Sequence, residues 1–172
     1  MLRTGRKNEI EIIYISRNPK DVCISSYYYL KDVMDVMDCT LEEYTKHFLK
    51  GETARQDHYW EHVLYFWERR NWPNVLFIKY EDMKNDLAQM IRKVATFLEK
   101  TLTEDEVLKL MKWLDFETMK NNAAVNHNNL YKKSGFIRSG KVGDHKKVMS
   151  DEVNKIFDFW IEENLKNTDY KL

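Results

Sequence analysis

The sequence predicts an α/β fold in which a few parallel strands, at about residues 10–16 and 75–80, are surrounded by many helices. Three observations lead there. Ile10-Glu11-Ile12-Ile13-Tyr14-Ile15-Ser16 and Val75-Leu76-Phe77-Ile78-Lys79-Tyr80 are short β-branched, apolar runs that read as buried strands. Most of the remaining chain repeats its apolar residues at intervals of three and four. The first strand also runs directly into Asn18-Pro19, a helix start, which is the strand-to-helix order of a parallel crossover.

Taken in order, Asn18 caps and Pro19 opens a helix expected to reach Val33. Residues 41–50 form a short helix that stops at Gly51. Asp57 to Arg70 carries Trp60, Val63, Leu64 and Trp67 on one face, and Pro73 marks the turn into the second strand. On this face His62 reads as a packed or capping histidine. Met83, Leu87, Met90, Ile91, Val94, Phe97 and Leu98 predict one continuous helix whose first turn holds Glu81 and Asp82. Thr103-Glu104-Asp105-Glu106 opens a helix to about Trp113. Residues 121–148 read as a long loop, first asparagine-rich, then holding three of the five glycines, at 135, 140 and 143. Ser150 caps a last helix with Val153, Ile156, Phe157, Trp160, Ile161 and Leu165 inward. No internal repeat or domain boundary is visible, so residues 1–172 are expected to form a single unit.

Composition limits what the chain can do. Its 172 residues are 43% apolar, enough for a sizeable core, and its 28 basic and 28 acidic residues cancel. Nothing global attracts nucleic acid or an anionic membrane, and neither is expected as a partner. Cys23 and Cys39 lack a paired spacing, which argues for a reducing, cytoplasmic setting and against a disulfide framework or a zinc site, and no metal is expected. No apolar run approaches the roughly 20 residues that cross a bilayer, and Met1 to Glu9 lacks a signal-peptide core.

Anion binding must therefore be local, and the charge pattern places it. Between Lys132 and Lys147, Lys132, Lys133, Arg138, Lys141, Lys146 and Lys147 face only Asp144, a net of +5 in an otherwise balanced chain. At the other end of the sequence, Arg17 sits at the carboxyl end of a predicted parallel strand and Ser25 two turns into the following helix. In open α/β sheets that strand end receives ligands, and the helix start offers free N–H groups to an anion. An arginine fork, a neutral hydroxyl and a glycine that admits close backbone approach are the donors a phosphate takes. Arg17, Ser25 and the Arg138-Ser139-Gly140 turn supply all three kinds. On the residues alone, an ion pair between Arg17 and a nearby acid, with a solvated loop, remains the alternative.

The string YISRNPKDVCISSYYY resembles the 3′-phosphate-binding signature of the cytosolic sulfotransferases, and FIRSGKVGDHKK resembles their C-terminal R-x-G-x-x-G-D motif. VLFIKYEDMKNDL and LDFETMKNN, between the two, are similar to the family as well, so the resemblance runs from about Ile10 to Asp158. It implies the C-terminal part of a P-loop-like sulfotransferase fold. Arg17, Ser25 and Arg138 would hold the 3′-phosphate of 3′-phosphoadenosine 5′-phosphosulfate, or of the product 3′-phosphoadenosine 5′-phosphate, with the Ser139-Gly140 backbone beside them. Tyr80 and Phe116 match positions that contact or stack on the adenine, although a structural hydrogen bond and core packing are their alternatives.

Several positions depart from the family pattern. Ser139 stands where a lysine is usual, which removes a charge-assisted contact of roughly 1–3 kcal/mol, and His145 stands where a tryptophan is common. The family's dimer motif falls on Lys146, Ser150, Asp151 and Lys155, of which only the first is kept, so homodimerisation stays open. The resemblance also implies a phosphosulfate loop and an acceptor-deprotonating histidine before Ile10. None of His47, His58, His62, His127 and His145 falls at that position.

Two readings follow. One is a sulfotransferase that moves a sulfuryl group to a hydroxyl or amine of a small-molecule acceptor, represented here by a truncated part inactive alone. The other is a non-catalytic nucleotide-binding or protein-interaction module of the same origin. Three charge-assisted bonds at roughly 1.5–3 kcal/mol each, against an association cost of at least about 4 kcal/mol, allow weak nucleotide binding. A strand without flanking strands also favours self-association. Light scattering of residues 1–172 is expected to show it, and a monodisperse, cooperatively melting sample would contradict it.

Overall fold

The computed structural model describes residues 10–53, 58–126 and 136–172. Two strands, β1 (Ile12–Ser16) and β2 (Val75–Lys79), pair in parallel with Ile12 opposite Val75 and Ser16 opposite Lys79. The helices are α1 (Pro19–Tyr28), α2 (Leu41–Lys50), α3 (Tyr59–Glu68), α4 (Tyr80–Asn85), α5 (Leu87–Phe97), α6 (Glu104–Trp113), α7 (Phe116–Asn121), α8 (Ala123–Asn126) and α9 (Asp151–Leu165). A π-helical turn follows α1 at Tyr29–Val33, and a 3-10 turn spans Asp144–Lys147.

Local chemistry sets most boundaries. Asn18 accepts from the Lys20 N–H and Pro19 occupies the first turn of α1. Thr40 with Glu43 and Thr103 with Glu106 close reciprocal capping boxes on α2 and α6. Gly51, at φ +71°, ends α2, and the Ser150 hydroxyl caps α9. The helix expected from Pro19 to Val33 changes to π geometry at Tyr29. The continuous helix expected over residues 83–98 is two: Asp86 leaves helical geometry (φ −142°, ψ 84°) and its side chain caps α5 from within the apolar period. Tyr80, read as the end of a strand, opens α4. The loop expected over 121–148 contains α8 and the 3-10 turn among its described residues. Asp57 and residues 127–135 lie outside the described residues.

The sheet faces differ. Tyr14 and Phe77 share one face, where Tyr14 stacks on Phe66 with ring centroids 4.4 Å apart and Phe77 meets Trp67 edge-on at 5.2 Å. This side joins the main core, with Phe48, Val63, Phe157 and Trp60 from α2, α3 and α9. His62, expected to pack or to cap, is exposed on α3, with its Nδ1 3.0 Å from the Tyr14 hydroxyl and its ring edge-on to Phe66. The opposite face carries Leu76 and Ile78 onto Met90 and Phe97 of α5. There Ile13 and Ile15 are 39% and 48% exposed, so β1 is not the fully buried strand its composition predicts. They border an apolar groove of about 350 Å³ with Leu87, Leu110 and Leu114. Ile156, expected inward on α9, is exposed as well.

The core gives a direct stability test. Phe48 and Phe157 are fully buried, with ring centroids 5.9 Å apart. Phe157→Ala is expected to cost about 3–5 kcal/mol, read as a shift of the urea midpoint.

Candidate functional site

Register and connectivity bring the ends of the two strands together. Ser16 is paired with Lys79, so the next residues, Arg17 and Tyr80, emerge side by side, and the Arg17 guanidinium carbon lies 4.4 Å from the Tyr80 ring centroid. The Arg17 backbone is pinned from below. The Tyr59 hydroxyl donates to the Arg17 carbonyl, and the buried Tyr170 hydroxyl donates to Ser16 Oγ at 3.1 Å.

Over this corner lies a cleft of about 560 Å³. All seven predicted site residues line it: Arg17, Ser25, Tyr80, Phe116, Arg138, Ser139 and Gly140. Apolar and aromatic side chains, among them Tyr29, Val33 and Phe136, form much of the remaining wall. Two N–H groups that the sequence offers to an anion at the start of α1 already have acceptors. Residues 18–21 do not line the cleft, the Asn18 side chain takes the Lys20 N–H, and the Asn18 N–H donates to Glu81 Oε1 at 2.8 Å. The cleft instead runs along the side of α1, from Arg17 to Ser25 and beyond.

Arg17, Arg138 and Tyr80 are each held by neighbouring groups. Arg17 Nη2 donates to the Lys141 carbonyl at 3.0 Å and lies 3.8 Å from Asp21, so the ion pair considered from sequence is present but long. Arg138 Nη2 donates to Asp144 at 2.5 Å, and its guanidinium carbon sits 4.6 Å from the Tyr28 ring centroid. The Tyr80 hydroxyl donates to the Gly140 carbonyl at 3.2 Å, and burial pushes its pKa upward, which keeps it a donor. Gly140 has φ +61°, and a Cβ there would stand 2.2 Å from the Phe116 ring, so only glycine lets this turn close on that aromatic wall.

Two donors are left over. Arg17 Nε and Ser139 Oγ are buried without a hydrogen-bond partner among the described residues. A buried donor without an acceptor costs about 1–3 kcal/mol, which an oxygen-rich ligand in the cleft would relieve. At Ser139, expected only to have lost a charge, the structure places a hydroxyl inside the cleft wall.

Sequence reasoning missed the group that ties the cleft together. The Asp21 side chain is fully buried and accepts from the Gly143 N–H at 2.7 Å, the His145 N–H at 3.1 Å and His145 Nδ1 at 2.7 Å. Burial pushes this carboxyl up, but the His145 ring, the two N–H groups and the charge of Arg17 together outweigh it and hold it at about 2. The signal was in the sequence: Asp21 follows Arg17 and precedes Ser25 by four residues each, which places it in the first turn of the helix between the two donors.

Comparison with known proteins bears on this architecture. The family model described as the sulfotransferase domain matches residues 3–169. The chain belongs to the sulfotransferase family. It is 39% identical over 170 residues to luciferin sulfotransferase of Photinus pyralis, covering 93% of this chain and 45% of that protein. It is 36% identical to the amine sulfotransferase of Oryctolagus cuniculus, covering 94% and 56%. Among solved structures, retinol dehydratase in complex with androsterone and inactive cofactor PAP superposes with a TM-score of 0.90 at 33% identity, over 94% of this chain and 49% of that one. A mouse sulfotransferase complexed with PAP gives 0.82 at 34% identity, over 93% and 59%. This sulfotransferase chain thus spans about half the length of the curated relatives it matches.

The Asp21 carboxyl provides a pH test. Its folded value lies below the ordinary 3.8, so its contribution to stability is complete above about pH 4 and is lost as pH falls toward 2. Chemical denaturation between pH 5 and pH 2 is expected to show that loss in the wild type and a flatter acid limb in Asp21→Asn. Gly140→Ala is expected to destabilise by about 1–3 kcal/mol through its positive φ and the Phe116 clash, measured by thermal melting.

Proposed function

We propose that the cleft is a nucleotide 3′-phosphate clamp that takes 3′-phosphoadenosine 5′-phosphosulfate or its product 3′-phosphoadenosine 5′-phosphate. The carrying observation is the pair of buried donors without a partner among the described residues, Arg17 Nε and Ser139 Oγ, in a cleft that also holds Arg138 and the Ser25 hydroxyl. Phosphate oxygens supply the missing acceptors, and the cleft lined by Gly140 and Phe116 admits a flat base beside them. That two superposable relatives were solved with PAP supports the reading.

In this reading Arg17 and Arg138 orient the nucleotide and neutralise its 3′-phosphate, Ser25 and Ser139 donate neutral hydrogen bonds, and Tyr80 keeps the Gly140 turn in place. The nucleotide, when bound, supplies the activated sulfuryl group for a hydroxyl or amine of a small acceptor, and the aromatic and apolar walls at Tyr29, Val33 and Phe136 suit such an acceptor. We assign no catalytic base within the chain. It acts as one partial sulfotransferase domain that binds nucleotide and needs further residues for transfer. Cys23 and Cys39 are free thiols, which suits a cytoplasmic setting.

Calorimetry tests the clamp. Residues 1–172 are expected to bind 3′-phosphoadenosine 5′-phosphate more tightly than adenosine 5′-phosphate, and Arg17→Ala to lose roughly 10- to 100-fold in affinity for the former. Equal affinities for the two nucleotides, or no loss in Arg17→Ala, would overturn the assignment.

A further inference from the structure

We propose that Asp21 is the positioning residue of the cleft: by gripping Gly143 and His145, it aims Arg138 and the Gly140 turn at Arg17 and Ser25. This rests on reading the cleft as a 3′-phosphate site. Asp21 does not line the cleft, so it acts only through other residues.

The connections form one path. Arg17 lies just before α1, and Asp21 and Ser25 follow it at four-residue intervals, both within α1. The cleft lies over Arg17 and Ser25, and Asp21 between them turns into the protein, with its side chain fully buried. Its carboxylate takes three donors from the facing loop: the Gly143 N–H, the His145 N–H and His145 Nδ1. Asp144 lies between those two anchored residues, so its direction is set by them, and its carboxylate holds Arg138 Nη2 at 2.5 Å. On the other side, Arg17 Nη2 holds the Lys141 carbonyl of the same loop. An anionic group in an anion site looks out of place, yet its charge is spent on the loop. The orphaned donors Arg17 Nε and Ser139 Oγ stay free for a ligand. His145 contributes the side-chain arm of this grip. The arm needs an N–H at the ring Nδ1 position, which an asparagine side chain reproduces and an alanine does not.

A merely structural role would weaken every ligand alike, whereas a positioning role removes the preference for the 3′-phosphate. The test therefore measures, by calorimetry at a temperature where each variant is folded, the affinities for 3′-phosphoadenosine 5′-phosphate and for adenosine 5′-phosphate. Asp21→Asn is expected to lose at least about tenfold of the wild-type preference for the 3′-phosphorylated nucleotide, with adenosine 5′-phosphate binding unchanged. His145→Ala is expected to lose a smaller part of that preference, and His145→Asn to restore it. An unchanged preference in Asp21→Asn, or equal loss for both nucleotides, overturns the proposal. If Asp21→Asn does not fold, the His145 pair decides: an alanine variant equal to wild type, or an asparagine variant no better than alanine, overturns it. A wild type without any preference overturns the clamp reading itself, an outcome distinct from all of these.

Discussion

The parallel pairing of β1 with β2 is the constraint from which the rest of the site follows. Because Ser16 stands opposite Lys79, the chain leaves the sheet at Arg17 and Tyr80 on the same edge and at the same height. A slip of β1 by one residue would move Tyr14 from the core face to the face of Leu76 and Ile78 and carry Arg17 away from Tyr80. The aromatic contacts of Tyr14 with Phe66 and of Phe77 with Trp67 oppose that slip, so the hydrophobic core fixes a polar geometry several residues away. The Tyr170 hydroxyl on Ser16 and the Tyr59 hydroxyl on the Arg17 carbonyl secure the last step from strand to cleft.

The cleft is assembled from segments distant in sequence, and what joins them is electrostatic rather than apolar. The loop at 138–147 carries an excess of positive charge, and it folds back because two carboxylates meet it, Asp21 from α1 and Asp144 from within. Asp21 takes the Gly143 and His145 N–H groups and the His145 ring, and Asp144 takes Arg138 Nη2. A buried carboxylate is tolerated only when several donors surround it, and Asp21 has three and a guanidinium 3.8 Å away.

Much of this was legible from sequence. Strand positions, the caps at Asn18 and Ser150, the helix start at Thr103, and the seven residues that line the cleft follow from periodicity, cap chemistry and four motif strings. The failures have physical reasons. Asp86 was invisible as a helix break because the apolar period continues through it, while its backbone leaves the helix to cap the next one. Ile13 and Ile15 look like core by composition, but burial depends on what covers a sheet face, which composition does not report. Asp21 stands inside a motif string, but charge logic alone looks for cations at an anion site. Its role depends on the contact with Gly143 and His145, 122 and 124 residues away.

The close approach of Gly140 to Phe116 has a consequence for the entropy of recognition. The ring occupies the space that a Cβ on residue 140 would need, so the turn and the ring restrict each other in the free protein. An aromatic wall that must be frozen by its ligand costs about 0.5–1.5 kcal/mol in lost rotamer freedom. Here that ordering accompanies folding, and a flat ligand entering the cleft meets a surface already at rest.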